Sequence, residues 1–207
     1  MRIGLTGGIA AGKSSVSEIL ASLGAWILDA DAVSREMVEP GSAGLEGIVR
    51  EFGEKILKAD GTLDRAALGA EVFSDDARRG RLNGILHPII KSEMLNRAGR
   101  IESEYPDAIV IMDVPLLIES GWQDMADEVW LVTAPLEERI RRIALRDGLD
   151  RRQAERRIAA QMPDGEKAKY ADIIINNGGN MDELKAIVSD LYAERKYGKK
   201  EKKTQEQ

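Results

Sequence analysis

The chain contains no cysteine. That excludes a disulfide framework and any cysteine-ligated metal site, and it agrees with a reducing compartment. No apolar run approaches the roughly 18 residues that a membrane span needs. The sequence opens directly on an apolar segment with nothing resembling a secretory leader, so the expected location is the cytoplasm. Positive charge is in deficit: 30 Lys and Arg against 36 Asp and Glu leave a formal net charge of −6. A surface of that sign is no electrostatic match for nucleic acid. Histidine occurs once, at His87, and no internal repeat is visible.

What is present is a chain of 207 residues, 43% hydrophobic, enough for an α/β domain with an insertion or for two small lobes. Five segments read as strands: residues 1–6, "AWILDAD", "AIVIMDVP", "EVWLVTAP" and "ADIIINN". Near-continuous apolar runs of this kind suit parallel strands covered on both faces. Val16, Ile19, Leu20 and Leu23 form one helical stripe, with Gly24 at the C-terminal cap. Thr133 is expected to cap a helix running to Asp147, with Leu136, Ile140 and Ile143 on one face. Asp150 and Gln153 form a variant capping box for the next helix. "HPIIKSEMLNRAG" predicts a helix start with Pro88 in its first turn. "MDELKAIVSDLYAERK" predicts a last amphipathic helix, and the charged end, 199–207, is expected to fray. Trp26, Trp122 and Trp130 read as core residues beside strands. Strands alternating with helices predict a doubly wound parallel sheet, whose ligands sit beyond the carboxyl ends of the strands. The stretch from Ala32 to about Tyr105 carries no convincing strand and reads as an inserted helical lobe.

The most specific chemistry lies at Gly7-Gly8-Ile9-Ala10-Ala11-Gly12-Lys13-Ser14, which fits G-x-x-x-x-G-K-[ST] after a strand and before a helix. Glycines let successive N–H groups turn inward on phosphate oxygens, and the helix N-terminus adds its positive end. Lys13 is expected on the β and γ phosphates of ATP and Ser14 on Mg²⁺. Asp29 and Asp31, two apart in a segment read as extended, point the same way. One suits a metal-bound water and the other a proton acceptor, although Asp31 could instead cap the next helix. Asp113 ends a strand and is a candidate metal-side acid or a turn former. His87, before a proline, reads as structural. Eight arginines lie between Arg139 and Arg157, opposed within that window by Asp147, Asp150 and Glu155 alone. Such clustering points to a local anion site or to an ion-paired helix face. Residues 145–165 read as a lid closing over phosphates, with Arg142, Arg146 and Arg157 as candidates to neutralise the transferred group.

These stretches together resemble the dephospho-CoA kinase family. The matching segments are "IGLTGGIAAGKSSV", "DADAVSREMVEPG", "DGTLDRAAL", "LHPII", "DVPLLIESG", "RDGLDRRQAERRIAAQM" and "ADIIINNGG", in the family's order from Ile3 to about Gly179. The resemblance implies a three-layer P-loop NTPase fold with a five-stranded parallel sheet. Its nucleotide core would comprise 1–31 and 107–198, its helical CoA-binding insertion 32–106, and its lid lies at about 145–165. It implies transfer from ATP to the ribose 3′-hydroxyl of dephospho-CoA with Mg²⁺. Asp31 is then the base, assisted by Lys13, Arg142 and Arg146. Gly8, Ile9, Ala10, Ala11, Gly12, Lys13, Ser14, Ser15, Asn177 and Gly178 would hold the nucleotide. Asp31, Arg35, His87 and Leu116 would face the acceptor, and Ser14, Asp29 and Asp113 the metal side. The expected partner is the small molecule alone, without nucleic acid or membrane, and the expected state a monomer or weak homo-oligomer. Ala10-Ala11 and Ser15 depart from the family's commoner Gly-Ser and Thr, which puts loop flexibility in question. Three other readings compete: another small-molecule kinase of this fold, a nucleotide-dependent switch and a nucleic-acid-binding ATPase. The absence of an N-K-x-D motif counts against a GTPase switch, and the net charge against the third.

Overall fold

A computed structural model describes residues 1–73 and 75–204, with side chains described as far as residue 198. The elements in chain order are β1 (Arg2–Gly7), α1 (Lys13–Ser22), β2 (Trp26–Asp29), α2 (Ala30–Glu36), α3 (Ala43–Phe52), α4 (Arg65–Phe73), α5 (Asp76–Glu104), β3 (Val110–Asp113), β4 (Glu128–Thr133), α6 (Leu136–Asp147), α7 (Arg151–Ala159), α8 (Asp164–Lys167), β5 (Ile173–Asn176) and α9 (Met181–Thr204). The five strands form one parallel sheet in the order β2-β3-β1-β4-β5. β1 lies between β3 and β4, with Leu5 beside Asp113 on one flank and Trp130 on the other. The glycine loop of residues 7–14 therefore leaves the middle of the sheet, beside the end of β3.

Strand residues of both parities are buried, as the near-continuous apolar runs require. Ile3, Leu5, Ile111, Trp130, Val132 and Ile175 pack in one core cluster with Val16, Ile19 and Leu20 of α1 and Leu184, Val188 and Tyr192 of α9. Val110, Met112, Val129 and Leu131 are buried as well. α1 ends as its glycine predicts. Gly24 takes φ 93°, its N–H donates to the Ala21 carbonyl, and the Ala25 N–H donates to Leu20, which closes a Schellman motif.

The chain forms two compact units, one of Met1–Leu28 with the segment from Ala98 onward, the other Asp29–Arg97. The second is helical. Its core gathers Leu45, Ile48 and Phe52 from one face of α3 with Val38, Ile56, Leu63 and Leu68.

Several local expectations are corrected. The segment around Asp29 is not extended as far as Asp31. β2 stops at Asp29, whose side chain accepts the Asp31 N–H at 2.8 Å, and α2 starts at Ala30. The two carboxylates therefore do not share a strand face. Asp29 is the cap, and Asp31 lies in the helix's first turn. Pro88 does not open a helix but sits inside the 29-residue α5. Pro88 and Gly84, whose carbonyl loses its usual donor there, are both exposed, so water can take that carbonyl. Ile90, Met94 and Ala98 bury the opposite stripe. Thr133 does not cap α6. It is the last β4 residue, paired with Asn176, and its carbonyl accepts the Asn177 N–H at 2.7 Å. α6 starts behind Pro135 with no side-chain cap. Leu136 is half exposed and Leu23 partly so, outside the buried stripes to which they were assigned. Trp122 and Trp130 are core residues, but Trp26, on an edge strand, is 42% exposed and packs against Tyr105 with ring centroids 5.2 Å apart. α9 continues through Thr204. Residues 205–207 of the charged end lie outside the described residues.

Candidate active site

β1 hands the chain to the glycine loop and α1 begins at Lys13. Gly12, its N-cap, is left-handed at φ 95° and offers no side-chain cap, so the first N–H groups of the helix are left for an anion. The loop closes on itself through the Ala11 N–H and the Gly8 carbonyl at 3.0 Å. Ala10 is the only described non-glycine residue with positive φ, 59°, a region that costs an alanine roughly 1–2 kcal/mol. The Ala10-Ala11 departure noted from the sequence thus has a physical consequence: the loop holds a side chain where glycine is the easy choice. The Lys13 ammonium pairs with the Asp113 carboxylate at the end of β3. Ser14 is exposed beside them, and Ser15 lies within the first turn of α1.

Side chains from α6 and from the segment after β5 grip this loop. Arg142 donates to the carbonyls of Ala10 and Ala11, each at 3.2 Å, and to that of Asn177 at 2.9 Å. Glu138 holds the same guanidinium at 2.8 Å, and hydrogen bonds from Arg141 and then Arg142 push its carboxyl down to about 2. The buried Asn177 donates its own amide to the Ala11 carbonyl at 2.9 Å. Gly178 follows against Pro135, where a Cβ would come within 2.8 Å. Arg139, in the cluster but not singled out from the sequence, is 5% exposed, with its Nε on the Ile9 carbonyl at 2.9 Å and another nitrogen on Asp164 at 3.0 Å. Gln161 completes the set, accepting the Ile9 N–H at 2.7 Å. No sequence signal marks a lone glutamine as a loop support, and both partners are distant in the chain.

The rest of the arginine cluster is more ion-paired than the sequence window suggests. Glu137, Glu138 and Asp164, outside that window, pair with Arg151, Arg141 and Arg139. Asp150 is not among the counter-charges; it caps α7 in the expected box with Gln153. Arg146 and Arg157 share Asp147, whose carboxyl is lowered chiefly by its hydrogen bond from Arg146. Arg152 and Arg156 are exposed and make no ion pair among the described residues.

In the helical unit, Asp31 and Arg35 lie one turn apart on α2, both exposed. His87 is half-buried in α5, and burial pushes its imidazole below the usual value. An open pocket of about 380 Å³ is lined by Met37, Pro88, Ile89, Ser92, Glu93 and Asn96. Arg97 ties its Glu93 wall to Glu36 of α2, and these hydrogen bonds raise the guanidinium above its usual range. Leu116 belongs to the other unit, in the turn after β3, and is 45% exposed.

No cluster of three or more His, Asp or Glu side chains that could hold a metal occurs among the described residues. A hydroxyl and a carboxylate, Ser14 and Asp113, nevertheless fit Mg²⁺, which in phosphate sites takes most of its ligands from phosphate and water. No helix among the described residues is long and apolar enough to cross a membrane.

Comparison with known proteins agrees with this geometry. A dephospho-CoA kinase of Geobacter sulfurreducens is 46% identical over 193 residues, covering 93% of this chain and 98% of the relative. The solved dephospho-CoA kinase from Campylobacter jejuni superposes with a TM-score of 0.74 at 29% identity, over 96% of this chain and 98% of that one. A shikimate kinase from Acinetobacter baumannii, 16% identical with a TM-score of 0.52 over 93% of this chain and 90% of its own, shares the fold alone. The family model described as dephospho-CoA kinase matches residues 1–183, and the chain belongs to that family.

Proposed function

We propose that the chain transfers the γ-phosphoryl group of ATP to the ribose 3′-hydroxyl of dephospho-CoA, giving coenzyme A and ADP. The observation that carries the chemistry is the loop of residues 7–14, with an uncapped helix N-terminus behind it and the Lys13 ammonium at its mouth. Family membership supplies the acceptor.

In this reading Lys13 leaves Asp113 for the β and γ phosphates, and the N–H groups of the loop and of the start of α1 cradle the β phosphate. Ser14 and Asp113 hold Mg²⁺, which neutralises phosphate charge when bound. Asp29 spends one oxygen on the α2 cap, and its other oxygen would serve the metal side through water. The Asp31 carboxylate, in the first turn of α2 where the helix dipole favours negative charge, accepts the 3′-hydroxyl proton. The new ribose oxygen–phosphorus bond forms as the bond to the β-phosphate oxygen breaks, and ADP carries that oxygen away. Arg35, His87 and Leu116 face the acceptor. Asn177 and Gly178 serve the nucleotide, Asn177 through its hold on Ala11. Residues 145–165 act as lid and 32–106 as the acceptor lobe. Arg142 acts on the phosphates through the loop carbonyls it grips, whereas Arg146 turns from Asp147 as the lid closes. The proposed compartment is the cytoplasm, in keeping with a chain free of cysteine.

The test is ADP release from Mg·ATP with dephospho-CoA, AMP, adenosine or shikimate. Stimulation by dephospho-CoA alone is expected; stimulation by another acceptor instead would overturn the assignment. Asp31→Asn is expected to abolish turnover while Mg·ATP still binds, because the phosphate loop is untouched. Near-normal turnover in that variant would remove Asp31 as the base.

A further inference from the structure

Lys167, the last residue of α8, is wholly buried, with its ammonium 2.7 Å from Glu119 in the turn after β3. The ammonium and both carboxylate oxygens are sealed from solvent and make no well-aligned hydrogen bond among the described residues, so charge attraction alone joins them. A buried ion pair is a poor source of net stability, because desolvation offsets the attraction. Its best-attested use is to fix one segment's position against another. Here the fixed support is firm: Val114 donates its N–H to Leu5 at 3.0 Å, and the Thr6 hydroxyl donates to the Pro115 carbonyl at 3.0 Å.

The segment that Lys167 anchors reaches the phosphate loop twice. Gln161 takes the Ile9 N–H, and Asp164 holds Arg139, which takes the Ile9 carbonyl. Gly8 makes room for this. It occupies an unrestricted position of the motif and has no positive φ, but a Cβ there would lie 2.5 Å from the Arg139 guanidinium and 3.1 Å from Asp164. The next residue after Ile9 is the left-handed Ala10, whose own carbonyl is taken by Arg142. The strained residue is thus held from both sides. Strain of this kind persists only when its surroundings over-determine it.

We propose that residues 161–167 are a brace that keeps Ala10 left-handed and so keeps the loop in its anion-binding shape. Gln161 is a positioning residue and the Lys167–Glu119 pair is its anchor. The proposal rests on the reading of this loop as the ATP site. It makes the C-terminal root of the lid a fixed part of the nucleotide site.

The experiment is calorimetric titration of the full-length protein with Mg·ADP, which needs no acceptor. Gln161→Ala is expected to weaken binding by up to roughly tenfold, because the part-buried Ile9 N–H loses its acceptor. Adding Ala10→Gly to that variant should recover most of the loss, because glycine takes positive φ without help. A glutamine with a merely structural role would lower the thermal midpoint and show no such recovery. Lys167→Met should weaken Mg·ADP in the same direction and leave the KM for dephospho-CoA unchanged. Should that variant not fold, Glu119→Gln is measured in its place with the same expectation. Wild-type affinity in Gln161→Ala, failure of Ala10→Gly to recover it, or wild-type affinity in a folded anchor variant would each overturn the brace. Wild-type protein that binds Mg·ADP but does not phosphorylate dephospho-CoA would overturn the proposed reaction and leave the brace standing.

Discussion

Residue by residue, the phosphate loop was the most legible part of the chain, because its chemistry is carried by a fixed spacing of Gly, Lys and Ser. What its supporting side chains touch was not legible, although Arg142 and Asn177 were themselves singled out. Arg139, Gln161 and Asn177 reach Ile9 and Ala11 from more than a hundred residues away, and no local pattern encodes a bond from a side chain to a distant carbonyl. Asp29 and Asp31 stand out in the sequence, but their geometry differs from an extended pair, because the capping power of Asp29 ends the strand two residues early. His87 allows a clean test at this scale, being the only histidine. Burial lowers its pKa from 6.5. The unfolded chain therefore binds the proton first, and this contribution to stability is complete above about pH 6.5 and lost as pH falls through the folded-state value. The His87 ring resonances should titrate below the unperturbed value by NMR. The acid-side fall in thermal midpoint should lessen in His87→Gln. A normal or raised His87 titration would contradict the burial argument.

Among the elements, period and caps did most of the predicting. The five strands were legible as apolar runs, α1 from its stripe and Gly24, and α7 from Asp150 and Gln153. The misses share a cause: a local rule lost to a neighbour's demand. Thr133 has a capping side chain, but the sheet claims its backbone for Asn176 and Asn177. Pro88 is a helix opener by preference, yet α5 runs through it because the opposite stripe is buried. Trp26 follows the rule for strand aromatics except that β2 is an edge. The α7 capping box gives a prediction of its own scale. Asp150→Ala removes the acceptor of the Gln153 N–H at 2.8 Å and should cost about 1 kcal/mol in denaturant unfolding. Such a loss would be felt first in α7, so hydrogen exchange should quicken over residues 151–159 ahead of the strands. Uniform exchange changes across the chain would count against a local cap.

For the whole molecule, composition excluded more than it identified. The lack of cysteine and the net charge of −6 bear only on classes of protein, whereas the expectation of a sheet domain with a helical insertion came from the pattern of strands and their gap. The reading as a kinase predicts a global effect of nucleotide on unfolding. Ligand that binds only the native state at about a hundred times its Kd contributes about 2.7 kcal/mol. Mg·ADP should therefore raise the thermal midpoint, and Lys13→Ala should remove most of that rise. A full rise in the variant would separate nucleotide binding from the loop. The pairing of Lys13 with Asp113 carries one more consequence. A cradle whose cation is already matched by an anion is electrically neutral at rest. A triphosphate that takes Lys13 draws it away from Asp113, whereas one arriving with a divalent ion would offer that carboxylate another cation. Exchange of this kind would favour nucleotide and metal entering together over entry of the free anion.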